Sequence, residues 1–567
     1  MKPCYVIFLL LFASNILVAQ QIKVLNKLTE EPVSGVAIYS IDKTKSVITN
    51  FKGEASIDKF SDTDVIYFQH LSHLLKKITK SQINAFNIVY LDSNTQGLEE
   101  IVISASKFEQ NKKDIPQKII SLNSRNIEFT NPQTSADLLE TTGQVYVQKS
   151  QLGGGSPMIR GFSTNRLLLS VDGVRMNNAI FRGGNIQNVI AIDPFNVSNT
   201  EVILGPGSVI YGSDAIGGVM NFYTKSPQLS WNENTIFSGN AGVRYASANK
   251  EKTGHVDFNI GIKKWGFHTS ISYSDFDDLR MGRNGKDVYL RPELVTQIDG
   301  QDTVIPNEDP LIQRFTGYDQ INVSQKVKLV PDDIWEFDLG LHYSKTSNYP
   351  RYDRLIQYRN GTLRYGDWFY GPQKWFMGNL QTQKKGNNTF YDNVKFTNAY
   401  QQFQESRNNR LFQDNILNTT EEKVHAISSN LDFEKRFNPK IKVFYGLEYV
   451  YNKVLSDGHD RNIETGEITA APSRYPDGAT WQSMAAYMSA EYKLNPKFTI
   501  QSGLRYNHIL IDTDFDTTFF PFPFTEGTTN TGAFTGSIGF SWVPNNWKIT
   551  GNLGTAFRAP NIDDIGK

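Results

Sequence analysis

The chain has 567 residues, too many for one small domain, so we expect several. Its 58 basic and 58 acidic residues balance, and charge therefore gives no reason to expect a nucleic acid partner. The only cysteine, Cys4, lies near the start, so the chain beyond its first nineteen residues has no disulfide, thiol nucleophile or cysteine metal ligand.

Residues 1–19 predict a secretory signal peptide. Lys2 gives a positive start, the run from Tyr5 to Val18 is mostly apolar but too short to span a bilayer as a stable helix, and Ala19 ends it. Cys4 precedes the apolar run, so it is not a lipoprotein acceptor. The sequence therefore predicts an exported protein.

Residues 22–92 predict a small β-sandwich, because six short β-type runs alternate with polar turns. The turn from Thr49 to Ala55 resembles that of carboxypeptidase-regulatory-like domains, with Asn50 where those domains usually carry aspartate. That resemblance implies no peptidase activity, and a role as a plain spacer is equally open.

Residues 98–106 (LEEIVISAS) predict a short β-prone segment between two domains. Ile101 and Ile103 alternate with Val102, and the charged stretch 107–114 follows. A β-prone segment without a committed partner is suited to join another protein as an added edge strand. The other interpretation is an ordinary last strand of the preceding domain.

The stretch from Pro157 to Lys225 predicts a compact domain rich in turns. Short β-type runs at residues 167–171, 201–204 and 219–223 are separated by closely spaced glycines, which suit positive φ angles and close backbone contacts. Residues 134–139 predict a capped helical turn. A bland glycine-rich β domain is the alternative interpretation.

No motif in the sequence predicts catalysis. Residues 207–213 are spaced like a phosphate-binding loop, but Ser213 stands where the lysine belongs. Metalloprotease, paired-cysteine, nucleophile-elbow and EF-hand motifs are missing from the sequence. We therefore expect neither an enzyme nor a resident metal or cofactor.

From residue 235 onward the sequence alternates strictly between apolar and polar positions. In the run from Trp335 to Tyr343 the odd positions are apolar or aromatic, and the even positions are Glu336, Asp338, Gly340 and His342. We count thirteen such strands between residues 235 and 557, most of them about 10 to 15 residues long, enough to cross a bilayer at a tilt. A soluble sandwich would show the same alternation.

The connections between these strands alternate in length. Short turns such as 331–333, 438–440, 495–497 and 544–546 are separated by long loops at about 278–317, 349–374, 456–480 and 515–531. This pattern is typical of bacterial outer-membrane barrels. The 62 phenylalanine and tyrosine residues, against eight tryptophans, suit aromatic girdles at membrane interfaces.

The glycine-rich domain resembles the plug domain of TonB-dependent outer-membrane receptors. The residues that carry the resemblance are Arg160, Gly161, Asp172, Gly173, Glu201, Gly205, Pro206, Tyr211, Gly212, Gly217, Gly218 and Asn221. One departure is Leu204, where the family usually carries a basic residue before Gly-Pro, and it puts one plug–barrel ion pair in doubt.

The resemblance implies a fold that is mainly β. It consists of the β-sandwich, a mixed α/β plug at residues 110–228, and an antiparallel transmembrane β-barrel of the 22-stranded type from residue 235 to residue 567. Sandwich domains of this kind often precede the plug in receptors of the Bacteroidetes group, and this one would be periplasmic.

The resemblance also assigns roles to residues. The segment 98–106 looks like a TonB box, the peptide that engages the energy-coupling protein TonB, and the implied contact residues are Glu99, Glu100, Ile101, Val102, Ile103, Ser104 and Ala105. Arg160 and Glu201 are implied to pair with the charged barrel wall and hold the plug.

Ligand contacts are expected from the plug apex together with the long loops. Polar candidates at the apex are Arg182 and Gln187, and the loops offer Arg351, Tyr352, Trp368 and His459. Aromatic and cationic side chains together suit an anionic iron chelate or a porphyrin. For each residue taken singly, packing or solubility is the commoner role.

Thirteen strands is an odd number, whereas single-chain bacterial barrels have even counts. The run from Phe557 to Asn561 also resembles a motif that lies inside the barrel of haem and related receptors. We therefore expect the chain to be a C-terminally truncated member of the family, with about nine strands missing.

The sequence thus predicts an outer-membrane receptor that imports a bulky nutrient, most simply an iron complex such as a siderophore or haem. Its partners would be TonB, outer-membrane lipid and a small-molecule or chelate ligand. The alternatives are the same fold importing cobalamin, an oligosaccharide or a peptide, and a surface binder or signal transducer that transports nothing.

Overall fold

The computed structural model describes residues 21–27, 32–42, 44–50, 52–70, 73–83, 87–92, 101–149, 152–182, 188–230, 234–545 and 547–566. The predicted signal peptide, Glu99, Glu100 and Gln187 lie outside these residues. The chain forms two compact units. The first comprises Met1–Ile101 with Asn111–Lys113, and the second comprises Val102–Gln110 with Asp114–Lys567.

The first unit contains two small sheets that share one hydrophobic core. Its strands are β1 (Gln21–Asn26), β2 (Ala37–Ser40), β3 (Ser46–Ile48), β4 (Glu54–Ser56), β5 (Val65–His70), β6 (His73–Thr79) and β7 (Ile88–Leu91). The orders are β4-β1-β7 and β3-β2-β5-β6. Alternate residues point inward, so Ile22 and Val24 of one sheet and Ile38, Ile66 and Phe68 of the other are fully buried. Strand β6 was not predicted.

The predicted plug is built on a five-stranded sheet, β10-β16-β17-β14-β15. Strand β14 reads LLLSV and is buried on both faces, which explains why four of its five residues are apolar. The helical turn predicted at 134–139 is confirmed, and Thr134 and Asp137 cap it reciprocally. From residue 101 onward the elements are β8 (Ile101–Val102), β9 (Gln110–Asn111), β10 (Lys118–Asn123), α1 (Ser124–Thr130), α2 (Ser135–Glu140), β11 (Tyr146–Gln148), β12 (Ser156–Ile159), β13 (Phe162–Ser163), β14 (Leu167–Val171), β15 (Val174–Arg175), β16 (Val197–Leu204), α3 (Ser208–Tyr211) and β17 (Gly218–Thr224).

The rest of the chain forms one large antiparallel sheet with hairpins in its connections. Its elements are β18 (Ile236–Ala246), β19 (Glu251–Gly261), β20 (Trp265–Phe276), β21 (Leu279–Arg280), β22 (Glu293–Ile298), β23 (Gln301–Pro306), β24 (Ile312–Gln313), β25 (Tyr318–Leu329), β26 (Trp335–Thr346), β27 (Tyr349–Pro350), α4 (Tyr352–Leu355), β28 (Tyr358–Arg359), β29 (Thr362–Leu363), β30 (Tyr365–Tyr370), β31 (Lys374–Lys385), β32 (Asn393–Leu411), β33 (Ile416–Asn438), β34 (Ile441–Asn462), β35 (Ile468–Ala470), β36 (Thr480–Asn495), β37 (Phe498–Asp514), β38 (Glu526–Trp542), β39 (Ile549–Gly554) and α5 (Ile562–Ile565). Short 3₁₀ turns occur at Lys80–Gln82, Lys112–Asp114, Thr164–Arg166, Asn188–Ala191, Pro194–Asn196 and Asp287–Tyr289.

Thirteen strands follow one path through this sheet, in the order β18-β19-β20-β25-β26-β31-β32-β33-β34-β36-β37-β38-β39. Each of the thirteen predicted strands is found. Several are longer than predicted, and β33 reaches 23 residues. The predicted loop at 278–317 is not irregular throughout, since β22 and β23 form a hairpin in it.

The thirteen-strand sheet has polar residues on its buried face and apolar residues on its exposed face. In β26, His342, Ser344 and Thr346 are buried, whereas Leu339 and Leu341 are each 40% exposed. This arrangement reverses that of a soluble protein and is the one that lipid requires. None of the described helices is long and apolar enough to cross a membrane.

The two ends of the sheet differ. The short-turn end carries the turns at 330–334, 439–440 and 496–497, and the long-loop end carries the connections at 277–317, 347–373, 463–479 and 515–525. The plug packs against the polar face of the sheet, and its core residues join Met377, Val424 and Ile511 of the strands in one hydrophobic cluster.

Candidate functional site

One glycine of the plug motif, Gly212, allows close contact between the plug and the sheet. Gly212 has a φ of +76°, and a Cβ placed there would lie 2.8 Å from Nη2 of Arg505 on β37. That guanidinium donates to the carbonyl of Ile210 at 3.2 Å and pairs with Glu448 at 2.6 Å. A side chain at position 212 would therefore push the plug away from a fully buried arginine.

Asp172 of the Asp-Gly motif is the main anchor of the plug at the short-turn end. Its carboxylate accepts from the backbone N–H of Thr224 at 2.9 Å and from the Thr224 hydroxyl at 2.7 Å. Lys326 of β25 reaches it at 2.8 Å, and His342 of β26 lies 3.5 Å away. Burial alone would raise the pKa of Asp172, but the charges of Lys326 and His342 hold that pKa far below its usual range.

The predicted box is held against the plug. The box segment, defined as residues 102–106, is the part that lies in the second unit. The Glu201 carboxylate accepts from the backbone N–H of Ile103 at 3.1 Å and of Ser104 at 2.8 Å, and the Tyr211 hydroxyl donates to the Ser104 carbonyl at 2.9 Å. Val102 is fully buried among apolar plug residues.

These contacts correct two predictions. The segment was expected to have no committed partner, yet in this structure Glu201 and Tyr211 bind its backbone. Glu201 was expected to face the barrel wall, yet it caps the box segment from within the plug. Burial raises the pKa of Tyr211, so its hydroxyl stays protonated and remains a donor to Ser104.

Just beyond the box segment, Lys107 joins it to the sheet. Its ammonium group lies 3.1 Å from Asp432 of β33 and 3.9 Å from Glu448 of β34. Asp432 also accepts from the Tyr487 hydroxyl at 2.6 Å. Lys107 therefore ties the predicted box to the sheet, in addition to the attachment to the plug through Glu201 and Tyr211.

Arg160 does not make the contact predicted for it. It has a φ of +49°, its side chain is exposed, and the described residues form no ion pair with it. The plug–sheet ion pairs within the described residues come instead from Lys107, Asp114, Asp172, Arg182 and Lys225. Sequence reasoning missed Asp172 as an anchor, because the Asp-Gly pair entered only as part of the family motif and no partner was assigned to it.

At the long-loop end, Arg182 of the plug pairs with Glu405 of β32 at 2.8 Å. Glu405 lies directly opposite Glu422 of β33 in the strand ladder. Glu422 is 1% exposed, and among the described residues neither of its carboxylate oxygens has a hydrogen-bond partner. Like charges opposite each other and an unpartnered buried carboxylate both cost free energy.

The structure brings two of the predicted ligand residues into direct contact. The Arg351 guanidinium lies 4.9 Å from the ring centre of Trp368 and donates to the Tyr370 hydroxyl at 3.0 Å. The ring centre of Tyr352 lies 5.2 Å from the Arg291 guanidinium, and burial raises the pKa of the Tyr352 hydroxyl. His459 is on β34 and pairs with Asp457, so it does not join this group through any described contact.

Two family models match the chain. The model described as TonB-dependent Receptor Plug Domain matches residues 111–219, and that described as TonB dependent receptor-like, beta-barrel matches residues 328–567. Together these matches cover more than half of the chain.

The names of similar proteins mention different transported solutes. The chain is 37% identical to a vitamin B12 transporter BtuB of Vibrio vulnificus over 192 residues. The matched stretch covers 33% of this chain and 30% of that protein. Its fold is similar to that of the copper transporter OprC, with a TM-score of 0.61 and 16% identity over 77% of this chain and 63% of the other. It is also similar to that of the ferric citrate transporter FecA, with a TM-score of 0.58 and 16% identity over 80% and 64%. The chain spans less than two thirds of the length of each.

Proposed function

We propose that this chain, which belongs to the TonB-dependent receptors, is an outer-membrane receptor that imports a bulky nutrient with energy delivered through TonB. The observation that carries the proposal is the attachment of the box segment to the plug by Glu201 and Tyr211. A pull on this segment would act first on a plug contact. Passive binding would need no such attachment.

The box segment and the residues before it are the proposed TonB contact, from Glu99 to Ala105. Glu201 accepts from the N–H groups of two successive residues, Ile103 and Ser104, and one of these two groups would face an added strand. Strand addition to TonB therefore requires Glu201 to release that group. This supports a receptor in which coupling depends on a change of state within the plug.

An iron complex, either a siderophore or haem, is the proposed cargo. Arg182, Gln187, Arg351, Tyr352, Trp368 and His459 are the proposed contact residues. The contact of Arg351 with Trp368 supports an aromatic and cationic lining, which suits an anionic chelate. Cobalamin is the second candidate, because a vitamin B12 transporter is 37% identical over 192 residues.

The N-terminal domain is proposed to be a periplasmic carboxypeptidase-regulatory-like domain of the Bacteroidetes type. Its diagnostic turn is tightly built, since the Asn50 side-chain oxygen accepts from the backbone N–H groups of Lys52 and Glu54, each at 2.9 Å. Asparagine serves this turn as aspartate would.

Uptake assays test the proposal. Cells with and without the gene receive a radiolabelled ferric siderophore, haem or cyanocobalamin, each in the presence and absence of TonB. We expect TonB-dependent accumulation of one of the iron compounds only in cells with the gene. Accumulation of cyanocobalamin alone would show that the cargo is cobalamin and not an iron complex. Surface binding without accumulation of any compound would indicate a binder that transports nothing.

A further inference from the structure

Four side chains form a row of hydrogen bonds that joins the plug to strands β19 and β20. We call this row the latch and define it as Asp193 of the plug, Ser272 of β20, and His255 and Asp257 of β19. The Ser272 hydroxyl lies 2.6 Å from the Asp193 carboxylate and 2.7 Å from Nδ1 of His255. Nε2 of His255 lies 2.9 Å from the Asp257 carboxylate. The three strand residues are buried, so water does not replace these contacts.

The three hydrogen bonds of the latch need three hydrogens. The Ser272 hydroxyl supplies one, and a neutral imidazole supplies one. Asp257 is an acceptor, since Lys225 donates to it at 2.8 Å and Asn240 at 3.1 Å. One contact is therefore left without a hydrogen unless the latch holds a further proton, either on Asp193 or as the second proton of the imidazole.

No other group supplies this hydrogen. Among the described residues, no further side-chain donor reaches the Ser272 hydroxyl or the Asp193 carboxylate. Burial raises the pKa of Asp193, which favours its protonated form. The other titratable groups around the latch come from neighbouring elements and are Glu128, Lys225, Arg244, Glu251, His268 and Lys326.

The two cations nearest the latch are already paired. Lys225 pairs with Asp257, and Arg244 pairs with Glu251 at 2.7 Å. The Arg244 guanidinium also lies 4.9 Å from the ring centre of Phe195, outside the latch. Their positive charges oppose an extra proton, whereas the carboxylates at both ends of the latch favour it.

Solvent can deliver the proton. His255 and Asp257 line a cavity of about 290 Å³. Exposed residues of α1 and β18, among them Glu128 and Asn240, line the same cavity. A proton that leaves the latch can therefore pass to water.

We propose that the latch is a proton-binding site, and that it attaches the plug to β19 and β20 only while one extra proton is bound. Without that proton, two acceptor atoms face each other at hydrogen-bond distance, and the contact costs free energy. Movement of the plug away from these strands would release the proton to water, and a rise in pH would favour that movement. The inference depends neither on the cargo nor on the box segment.

Proton linkage gives the pH range of the effect. An unfolded chain holds a proton on histidine below about pH 6.5 and has lost it above. Between about pH 5 and 6.5 both states hold one proton, so the latch adds no pH dependence. Above about pH 6.5 the folded latch alone holds it. The stability that the latch contributes then falls as pH rises, by at most tenfold per pH unit in the unfolding equilibrium constant, until the folded latch also releases the proton.

Two substitutions supply the missing hydrogen without a proton. Asp193→Asn places an amide N–H opposite Ser272, and its amide oxygen can still accept from the backbone N–H of Phe195, as Asp193 does at 3.0 Å. Asp257→Asn supplies the hydrogen at the other end of the latch. Glu128→Gln is the control, because Glu128 is exposed, lines the same cavity and makes no described contact with the latch.

Urea unfolding of the purified chain in non-ionic detergent, from about pH 5.5 to about 8.5, tests the proposal. We expect the unfolding equilibrium constant of the wild type, divided by that of D193N, to rise with pH by as much as tenfold per unit. The same ratio taken with D257N should rise equally steeply. D257N also takes the partner from Lys225, so we expect lower stability at every pH, which shifts that ratio without changing its slope.

The ratio of the wild type to E128Q should not change with pH. Ratios to D193N and D257N that are constant, or that fall as pH rises, would overturn the proposal. A rise of the same steepness for E128Q would overturn it too, because the pH dependence would then come from charge near the cavity and not from the latch.

Discussion

Two buried carboxyl groups, Asp172 at the short-turn end and Glu422 at the long-loop end, differ in how completely they are paired. The Asp172 carboxylate accepts two hydrogen bonds from Thr224, pairs with Lys326 at 2.8 Å and lies 3.5 Å from His342. At the long-loop end, Glu422 is equally buried and has no hydrogen-bond partner among the described residues. A paired end resists movement, whereas an end with an unpartnered charge gains from any new donor.

This difference matches the separate tasks of the two ends in the proposed receptor. The short-turn end has to hold the plug until a force is applied. The long-loop end has to accept a ligand and change its contacts when one arrives. The predictions below test the contrast, beginning with the largest effect.

Asp172→Asn is expected to have the largest effect, because it leaves Lys326 buried without its counter-charge. Loss of one partner of a buried pair costs about 3–5 kcal/mol. Asparagine tolerates the φ of +49° at this position, so backbone strain does not explain the loss. The measurements are the free energy of unfolding of the purified protein and the entry of a large antibiotic into cells.

The matched control is Asp172→Asn combined with Lys326→Met, which removes both charges and should recover part of the loss. Acid gives a second check. The depressed pKa of Asp172 means that its stabilisation is complete above the unfolded pKa, about 3.9, and is lost as pH falls below it. The difference in unfolding free energy between the wild type and D172N should therefore narrow as the pH falls below about 4. A gap that widens in acid would contradict the assignment.

Glu201→Gln is expected to release the box segment at a cost of about 2 kcal/mol in its attachment, because one acceptor oxygen and its charge are lost. Amide hydrogen exchange at Ile103 and Ser104 should then accelerate more than tenfold. Glu140→Gln removes a charge from an exposed plug residue and serves as the control. Exchange rates equal to those of the wild type would show that Glu201 does not hold the segment.

Glu422→Gln and Glu405→Gln should act in opposite directions. The first replaces a buried carboxyl group that has no hydrogen-bond partner among the described residues and lies opposite Glu405, and it should stabilise the protein by about 1 kcal/mol. The second takes the partner from Arg182 and should destabilise it. Thermal unfolding of both variants measures the contrast, and destabilisation of similar size in both would refute the description of the long-loop end as incompletely paired.

Arg160→Ala should have the smallest effect. The side chain is exposed and forms no described ion pair, so the expected change is within about 0.5 kcal/mol, despite the family resemblance that placed it in the plug–barrel contact. Antibiotic entry and unfolding should match the wild type. A plug loosened by several kcal/mol would restore the role first inferred for this arginine.

The fold could be predicted from the sequence to a large extent. Each strand of the thirteen-strand path was predicted, because alternation of apolar and polar residues is a local signal that survives whatever the strands pair with. The capped turn at α2 was predicted from Thr134 and Asp137, because a cap formed by two residues three positions apart is also a local signal. Strand β6 was missed, because its exposed leucines and lysines show no clear alternation.

The contacts of the site were much less predictable. Glu201 and Ser104 are 97 positions apart, and Lys107 and Asp432 are 325 apart. Nothing local marks such residues as partners, because their pairing depends on how the plug packs against the sheet. For Glu201 the resemblance suggested a barrel partner, whereas its oxygens bind backbone N–H groups, which carry no signature in the sequence.

The sequence by itself determined the β-rich class, the glycine-rich plug and the alternating strands, since these follow from the steric freedom of glycine and the two faces of a strand. Only the tertiary structure decided which carboxylate holds the box segment and which lysine anchors Asp172. The physical reason is that a buried charge is stabilised by whatever group the fold brings within about 3 Å of it, and that neighbour is set by packing rather than by position along the chain.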